Sequence, residues 1–144
     1  MFEYLEYEDI VGINDEHTGG SVINEGGIRA NLGRLTSGFG GADLFPDVWS
    51  KAAVLLSAFS RTQYFGDGNK RTAWLSTLLF LELNDIKTRR VETIHAEVFV
   101  LAIAANALDD PSRDRSELEM IQEWLKAAFP QSADGILPLT DVPA

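Results

Sequence analysis

Gln63-Tyr-Phe-Gly-Asp-Gly-Asn-Lys-Arg-Thr-Ala73 places an acid, two glycines, an amide and two bases directly ahead of an apolar run. Those types at that spacing suit a polyphosphate and its metal ion. Asp67 offers a hard carboxylate oxygen of the kind Mg²⁺ prefers. Backbone N–H groups following Gly66 and Gly68 would be the unpaired donors of a helix start, where the dipole favours anions. Lys70 as a point charge and Arg71 as a planar fork would neutralise phosphate oxygens. A plainer reading stands beside this one: a glycine-rich turn, with Asp67 or Asn69 capping the helix and Lys70 and Arg71 merely solvated. Cations in a first turn oppose the dipole, which an anion would explain and solvation would not. From these residues alone both readings stay open.

The rest of the chain narrows the setting. At 144 residues one domain with a self-sufficient core is expected. The absence of cysteine removes disulfides and thiolate metal sites and fits a reducing cytoplasm. The acidic start, Tyr4-Leu-Glu-Tyr-Glu-Asp9, lacks the cationic region of a secretory signal. The most apolar run, residues 98–105, is too short to cross a bilayer, so no membrane role is expected. A formal charge of −10 speaks against a nucleic-acid partner, whose phosphates demand a basic surface.

Apolar spacing predicts an all-α bundle. Residues 4–17 read as an amphipathic helix with Leu5, Ile10 and Ile13 inward. Residues 18–27, with four glycines, read as a loop or short hairpin, and residues 28–35 as a short helical piece. A second glycine-rich connection covers residues 36–45, and Pro46 suits the first turn of the next helix. That helix, about residues 47–62, carries a broad apolar face. Residues 68–83 are apolar almost all round, which predicts the centre of the bundle. A second buried helix is expected over about residues 93–108. Ser116-Glu-Leu-Glu119 is a capping box that opens the last helix. The domain is expected to end near 130, followed by a mobile tail over residues 131–144.

Phe65-Gly-Asp-Gly-Asn-Lys-Arg-Thr-Ala73 resembles the signature of the Fic/Doc (Fido) superfamily, His-x-Phe-x-Asp/Glu-Gly-Asn-Gly/Lys-Arg, in the form found in its Doc branch. Agreement extends to Tyr4-Leu-Glu-Tyr-Glu-Asp9, Asn24-Glu-Gly-Gly-Ile28, Lys51-Ala-Ala-Val-Leu-Leu56 and Leu79-Phe-Leu-Glu-Leu-Asn84, covering about residues 4–129. The resemblance implies a Fido-type helical bundle around a buried central helix, with a hairpin flap near residues 18–24. It implies ATP or another nucleoside triphosphate and Mg²⁺ as cofactors. Asp67 would hold the metal, and Gly66, Gly68, Asn69, Lys70 and Arg71 would bind phosphate. Doc-branch proteins are toxins restrained by a separate antitoxin, and they phosphorylate a protein hydroxyl, with the translation factor EF-Tu as target class. Fic proteins that transfer adenylyl groups carry a second arginine three positions after the first; Trp74 stands there, as other residues do in Doc toxins.

Gln63 departs from the pattern, because the family has its catalytic histidine there. A carboxamide cannot take a proton near neutral pH, and general-base catalysis is typically worth ~10²–10⁴-fold. Impaired transfer with phosphate binding retained is therefore expected. Gln63 admits three origins: an inactivating replacement in a toxic protein, a natural loss, or a chemistry using another base such as Asp67 or the substrate itself. His17 and His95, the two histidines, are expected to be ordinary surface or core residues. A catalytically silent domain that binds nucleotide or protein is the main alternative function, and nucleotidyl transfer is another. Ser21-Val-Ile-Asn-Glu-Gly26 also matches the inhibitory string of some Fic proteins, whose glutamate pairs with the second arginine that is missing here.

Overall fold

The computed structural model describes residues 2–39, 41–89, 91, 93–108, 116–132 and 135–136. The chain runs through α1 (Tyr7–His17), α2 (Glu25–Arg34), β1 (Gly38–Phe39), β2 (Ala42–Asp43), α3 (Val48–Arg61), α4 (Asn69–Leu83), α5 (Thr93–Ala104), α6 (Glu117–Ala128), β3 (Gln131–Ser132) and β4 (Gly135–Ile136). The strands form two minimal antiparallel pairs, β1–β2 and β3–β4. The architecture is an all-α bundle. Among the described residues no helix is long and apolar enough to cross a membrane.

Helix α3 is the centre. Asp47 starts it by accepting from the Ser50 N–H at 2.7 Å, while the Ser50 hydroxyl accepts from the Asp47 N–H at 3.2 Å. Every residue from Ser50 to Ser60 is buried, because α2, α4, α5 and α6 all pack on this helix. Helix α4, expected at the centre, instead lies against α3. Thr72, Ala73, Ser76, Thr77, Phe80 and Leu81 face inward, whereas Leu83 is exposed. Pro46 sits one residue before the cap rather than in the first turn, since Asp47 takes the capping role.

Other boundaries differ for definable reasons. Residues 2–6 are extended, not helical: Asn84 clasps the backbone of Glu3 with two hydrogen bonds of 2.8 Å each. Helix α1 begins only where the Asp9 carboxylate accepts from the Glu6 N–H at 2.8 Å. Helix α2 starts three residues early, because the Asn24 side chain accepts from Gly27 N–H and caps it. Helix α5 ends at Ala104 and is not enclosed: Phe99, Val100 and Ile103 point inward, but Ile94, Val98 and Leu101 are more than half exposed. Their i, i+4, i+7 spacing puts them on the outer face. Helix α6 opens as the capping box predicts, with Ser116 Oγ accepting from Glu119 N–H at 3.2 Å. Its Trp124 stacks on Phe99, with ring centroids 3.9 Å apart, and meets Trp74 edge-on.

Lys51, in the middle of α3, is fully buried. Its ammonium donates to the Leu35 carbonyl at 2.6 Å and to the Asp43 carboxylate at 2.8 Å, with the rings of Phe2 and Tyr4 beside it. The end of α2, the β1–β2 pair and the N-terminal segment thus converge on one charge. Gln131, first residue of the expected tail, is anchored to the backbone of Lys87 by bonds of 2.8 and 2.9 Å. Residues 133–134 and 137–144 of that tail lie outside the described residues.

Candidate active site

The α3–α4 connection builds the site. Thr62 leaves α3 in an extended conformation, residues 66–67 bend, and Gly68 turns the chain into α4 with φ of 76°. That left-handed conformation suits glycine, and a Cβ there would strike the Thr18 side chain. The Asn69 carboxamide folds back over the turn. Its oxygen accepts from Phe65 N–H at 3.0 Å and its nitrogen donates to the Phe65 carbonyl at 2.9 Å. Asn69 therefore shapes the loop with its side chain, leaving its backbone N–H and the second hydrogen of Nδ2 as donors.

Residues 18–24 cover the loop, but not as the expected hairpin. Val22 bridges Phe65 in antiparallel fashion. Gly66 N–H donates to the Ser21 carbonyl at 2.8 Å, and Ile23 N–H to the Tyr64 carbonyl at 2.7 Å. The segment pairs with the motif itself because the edge of residues 64–66 offers free backbone groups next to it. Two donors expected for phosphate are thereby spent: Gly66 N–H on the flap, and Gly68 N–H on the Asp67 carboxylate at 2.8 Å. The N–H groups of Asn69, Lys70 and Arg71 have no partner among the described residues, as the first turn of a helix requires.

A cleft of about 550 Å³ opens over this turn, lined by Thr18, Ile23, Gln63 and the loop from Phe65 to Arg71. It brings together every residue singled out in the motif. Lys70 and Arg71 are exposed and form no ion pair among the described residues. Two unpaired cations, three free N–H groups and a helix N-terminus lining this cleft are groups whose chemistry favours an anion. Asp67 is exposed and lines the cleft, with one carboxylate oxygen on Gly68 N–H and no hydrogen bond to the other among the described residues. Among the described residues no cluster of three metal-ligating side chains occurs. A lone carboxylate beside a phosphate site fits Mg²⁺, which arrives with waters and phosphate oxygens and needs one or two protein carboxylates.

Gln63 is exposed at the cleft wall. Neither histidine stands in for it. His95 is exposed on α5, and His17 lines a second cleft of about 520 Å³, between α4 and α5, that shares only Lys70 and Arg71 with the first. Trp74 lines this second cleft and packs on Trp124 and Phe129. Glu25, the acid of the inhibitory string, lies in α2 and pairs with Arg29 at 3.2 Å, not with a site cation.

Several participants carry no motif. Asn14 of α1 is fully buried, donating to the Asp67 carbonyl at 2.9 Å and to Thr72 Oγ1 at 3.0 Å. A polar residue one turn after Ile10 on an inward face is the available signal. Gly20 lies so close that a Cβ would meet the Asp67 carbonyl at 2.5 Å.

Comparison with known proteins agrees with this geometry. The model of the Fic/DOC family matches residues 4–81. A curated relative, Toxin Doc of Mycolicibacterium smegmatis (strain ATCC 700084 / mc(2)155), is 37% identical over 89 residues, which is 60% of this chain and 68% of that relative. The family match takes in the flap, the cleft loop and most of α4, so sequence and site coincide. The chain belongs to the Fic/Doc family, in its Doc branch.

Proposed function

We propose that this protein is a Doc-like toxin of a toxin–antitoxin pair whose site transfers the γ-phosphoryl group of ATP to a hydroxyl of a protein. The observation that carries the reading is the pair of exposed, unpaired cations at the N-terminus of α4, facing one open carboxylate across a single cleft. Lys70, Arg71 and the free N–H groups beside them bind the phosphates and hold the γ-phosphoryl group for in-line attack. Asp67 would hold the Mg²⁺ that accompanies ATP, and the ion would there supply screening of phosphate charge. The substrate oxygen bonds to the γ-phosphorus as the bond to the β,γ-bridging oxygen breaks, and ADP leaves. The hydroxyl proton needs an acceptor at position 63. There the Gln63 carboxamide can accept a hydrogen bond and orient the hydroxyl, but it cannot take the proton.

Gln63 favours one second reading, a domain that binds nucleotide or a protein partner and turns over slowly or not at all. The proposed partners are a protein substrate of the translation-factor class and a separate antitoxin, and the proposed setting is the cytoplasm. The test compares the Gln63 protein with Gln63→His, each incubated with Mg²⁺, a bacterial lysate and ATP labelled at the γ or α position. Protein labelling from the γ position, rising ~10²–10⁴-fold in the histidine variant, is expected. Labelling from the α position would replace phosphoryl with nucleotidyl transfer. No labelling by either, with ATP bound by both, would leave the silent binding domain.

A further inference from the structure

Asp67 sits on a peptide that is gripped from behind. The Asn14 side chain has no exposed surface, and its Nδ2 donates simultaneously to the Asp67 carbonyl at 2.9 Å and to Thr72 Oγ1 at 3.0 Å. The Asp67 carbonyl can only accept, so the group facing it must be the amide nitrogen. That orientation leaves Asn14 Oδ1 buried with no hydrogen-bond partner, which is unfavourable for a polar atom. An apolar side chain of this size would fill the space without the unpaired oxygen, but it would leave the Asp67 carbonyl and Thr72 Oγ1 without the amide donor. Packing alone therefore does not explain an asparagine here.

From this geometry we infer that Asn14 is a positioning residue for the acidic group of the site. One NH₂ ties the last loop residues to the first turn of α4, and so fixes where the Asp67 carboxylate points. The front of the same residue is fixed independently, since its carboxylate accepts from Gly68 N–H at 2.8 Å. Thr18 reinforces the grip by donating to the Asn14 carbonyl at 3.1 Å. Gly20 completes it: a Cβ there would lie 2.5 Å from the Asp67 carbonyl oxygen and 2.8 Å from its nitrogen, so only glycine lets the flap press on this peptide. No hydrogen bond joins Asn14 to the side chain of Lys70 or Arg71 among the described residues, whereas one goes directly to the Asp67 peptide. Asn14 thus acts on the carboxylate more directly than on the cations.

This inference rests on the reading of Asp67 as the Mg²⁺ residue, and its test separates the two. ATP affinity is measured by calorimetry with Mg²⁺ and with chelator, and the ratio of the two is the coupling between metal and nucleotide. The unsubstituted protein should show a gain of about tenfold with Mg²⁺, typical of such coupling. Asn14→Leu should keep the metal-free affinity within about twofold and lose most of the gain, as should Asp67→Asn. Gly20→Ala, which keeps the Asn14 amide but displaces the same peptide and crowds Asn14 Oδ1 at 3.1 Å, should lose it too and guards against misfolding of the leucine variant. Ile103→Ala on α5, destabilised but remote from the site, should retain the full gain and so separates lost stability from lost positioning.

A full Mg²⁺ gain in Asn14→Leu and Gly20→Ala would overturn the positioning role and leave the metal assignment standing. An equal fall in metal-free and Mg²⁺-dependent affinity would reduce Asn14 to a general structural residue. No gain in the unsubstituted protein would refute the metal assignment itself, and the positioning role with it.

Discussion

Replacing Gly68 by alanine should be among the most damaging small changes in this protein, for two separable reasons. The residue sits at φ of 76°, and a left-handed conformation costs a residue with a Cβ about 1–2 kcal/mol. The added carbon would also collide with the Thr18 side chain, whose own Cβ would be 2.7 Å away. Overpacking of that kind costs about 1–3 kcal/mol. The combined loss is about 2–5 kcal/mol. For 144 residues the unfolding entropy is about 0.3 kcal/mol per degree, so Tm should fall by about 7–17 °C. Calorimetry of Gly68→Ala, Thr18→Gly and the double variant isolates the collision. In the Thr18→Gly background the alanine should cost only the conformational share, about 1–2 kcal/mol. An equal loss in both backgrounds would show that flap and turn do not touch in solution, and a fall of less than about 3 °C would refute the strain as well.

Asn69→Ala should strip both partners from the Phe65 backbone and destabilise by about 1–3 kcal/mol, read as a shift in the urea midpoint; an unchanged midpoint would mean water replaces the amide. Lys51→Met keeps the length of the side chain but leaves the Leu35 carbonyl without its donor, again about 1–3 kcal/mol, with hydrogen exchange rising first in residues 2–6 and 36–45. The Lys51 hydrogen bond, aided by one from Phe45 N–H, holds the Asp43 carboxyl below its ordinary value of 3.8. A depressed carboxylate pKa stabilises the fold above the ordinary value, and that contribution is lost as pH falls from 3.8 through the lower folded value. Asp43→Asn should therefore flatten the acid limb of the stability curve, and an unchanged acid limb would remove Asp43 from the account.

The motif and the apolar spacing make the bundle and the cleft-lining residues 63–71 legible in the sequence. Pairing partners are harder to read, because they depend on contacts distant along the chain. Asn84 reaching Glu3 shortens α1, and nothing local announces a clasp across most of the chain. Four glycines in residues 18–27 suggest a flap that folds on itself, yet residues 21–23 find a better edge at residues 64–66. Type and spacing predict free N–H groups following Gly66 and Gly68, and the free ones are those of the three residues after Gly68; the N–H groups of Gly66 and Gly68 themselves, which the resemblance adds to the phosphate site, are occupied. Hydrophobicity alone also misjudges burial. The α5 run is the most apolar in the chain but keeps an outer face, while α3, with a lysine and three serines in its span, is enclosed because four helices surround it.

That enclosed lysine has a chemical consequence. Of the four lysines in the sequence, Lys70, Lys87 and Lys126 are exposed and Lys51 is not. An acylating reagent needs a free, accessible amine, so three lysines react in the native state and Lys51 reacts only when its surroundings part. Its acylation rate at a fixed reagent concentration becomes a clock for local opening. Because the ammonium joins the N-terminal segment, the end of α2 and the β1–β2 pair, that clock reports whether these three come apart together or one at a time.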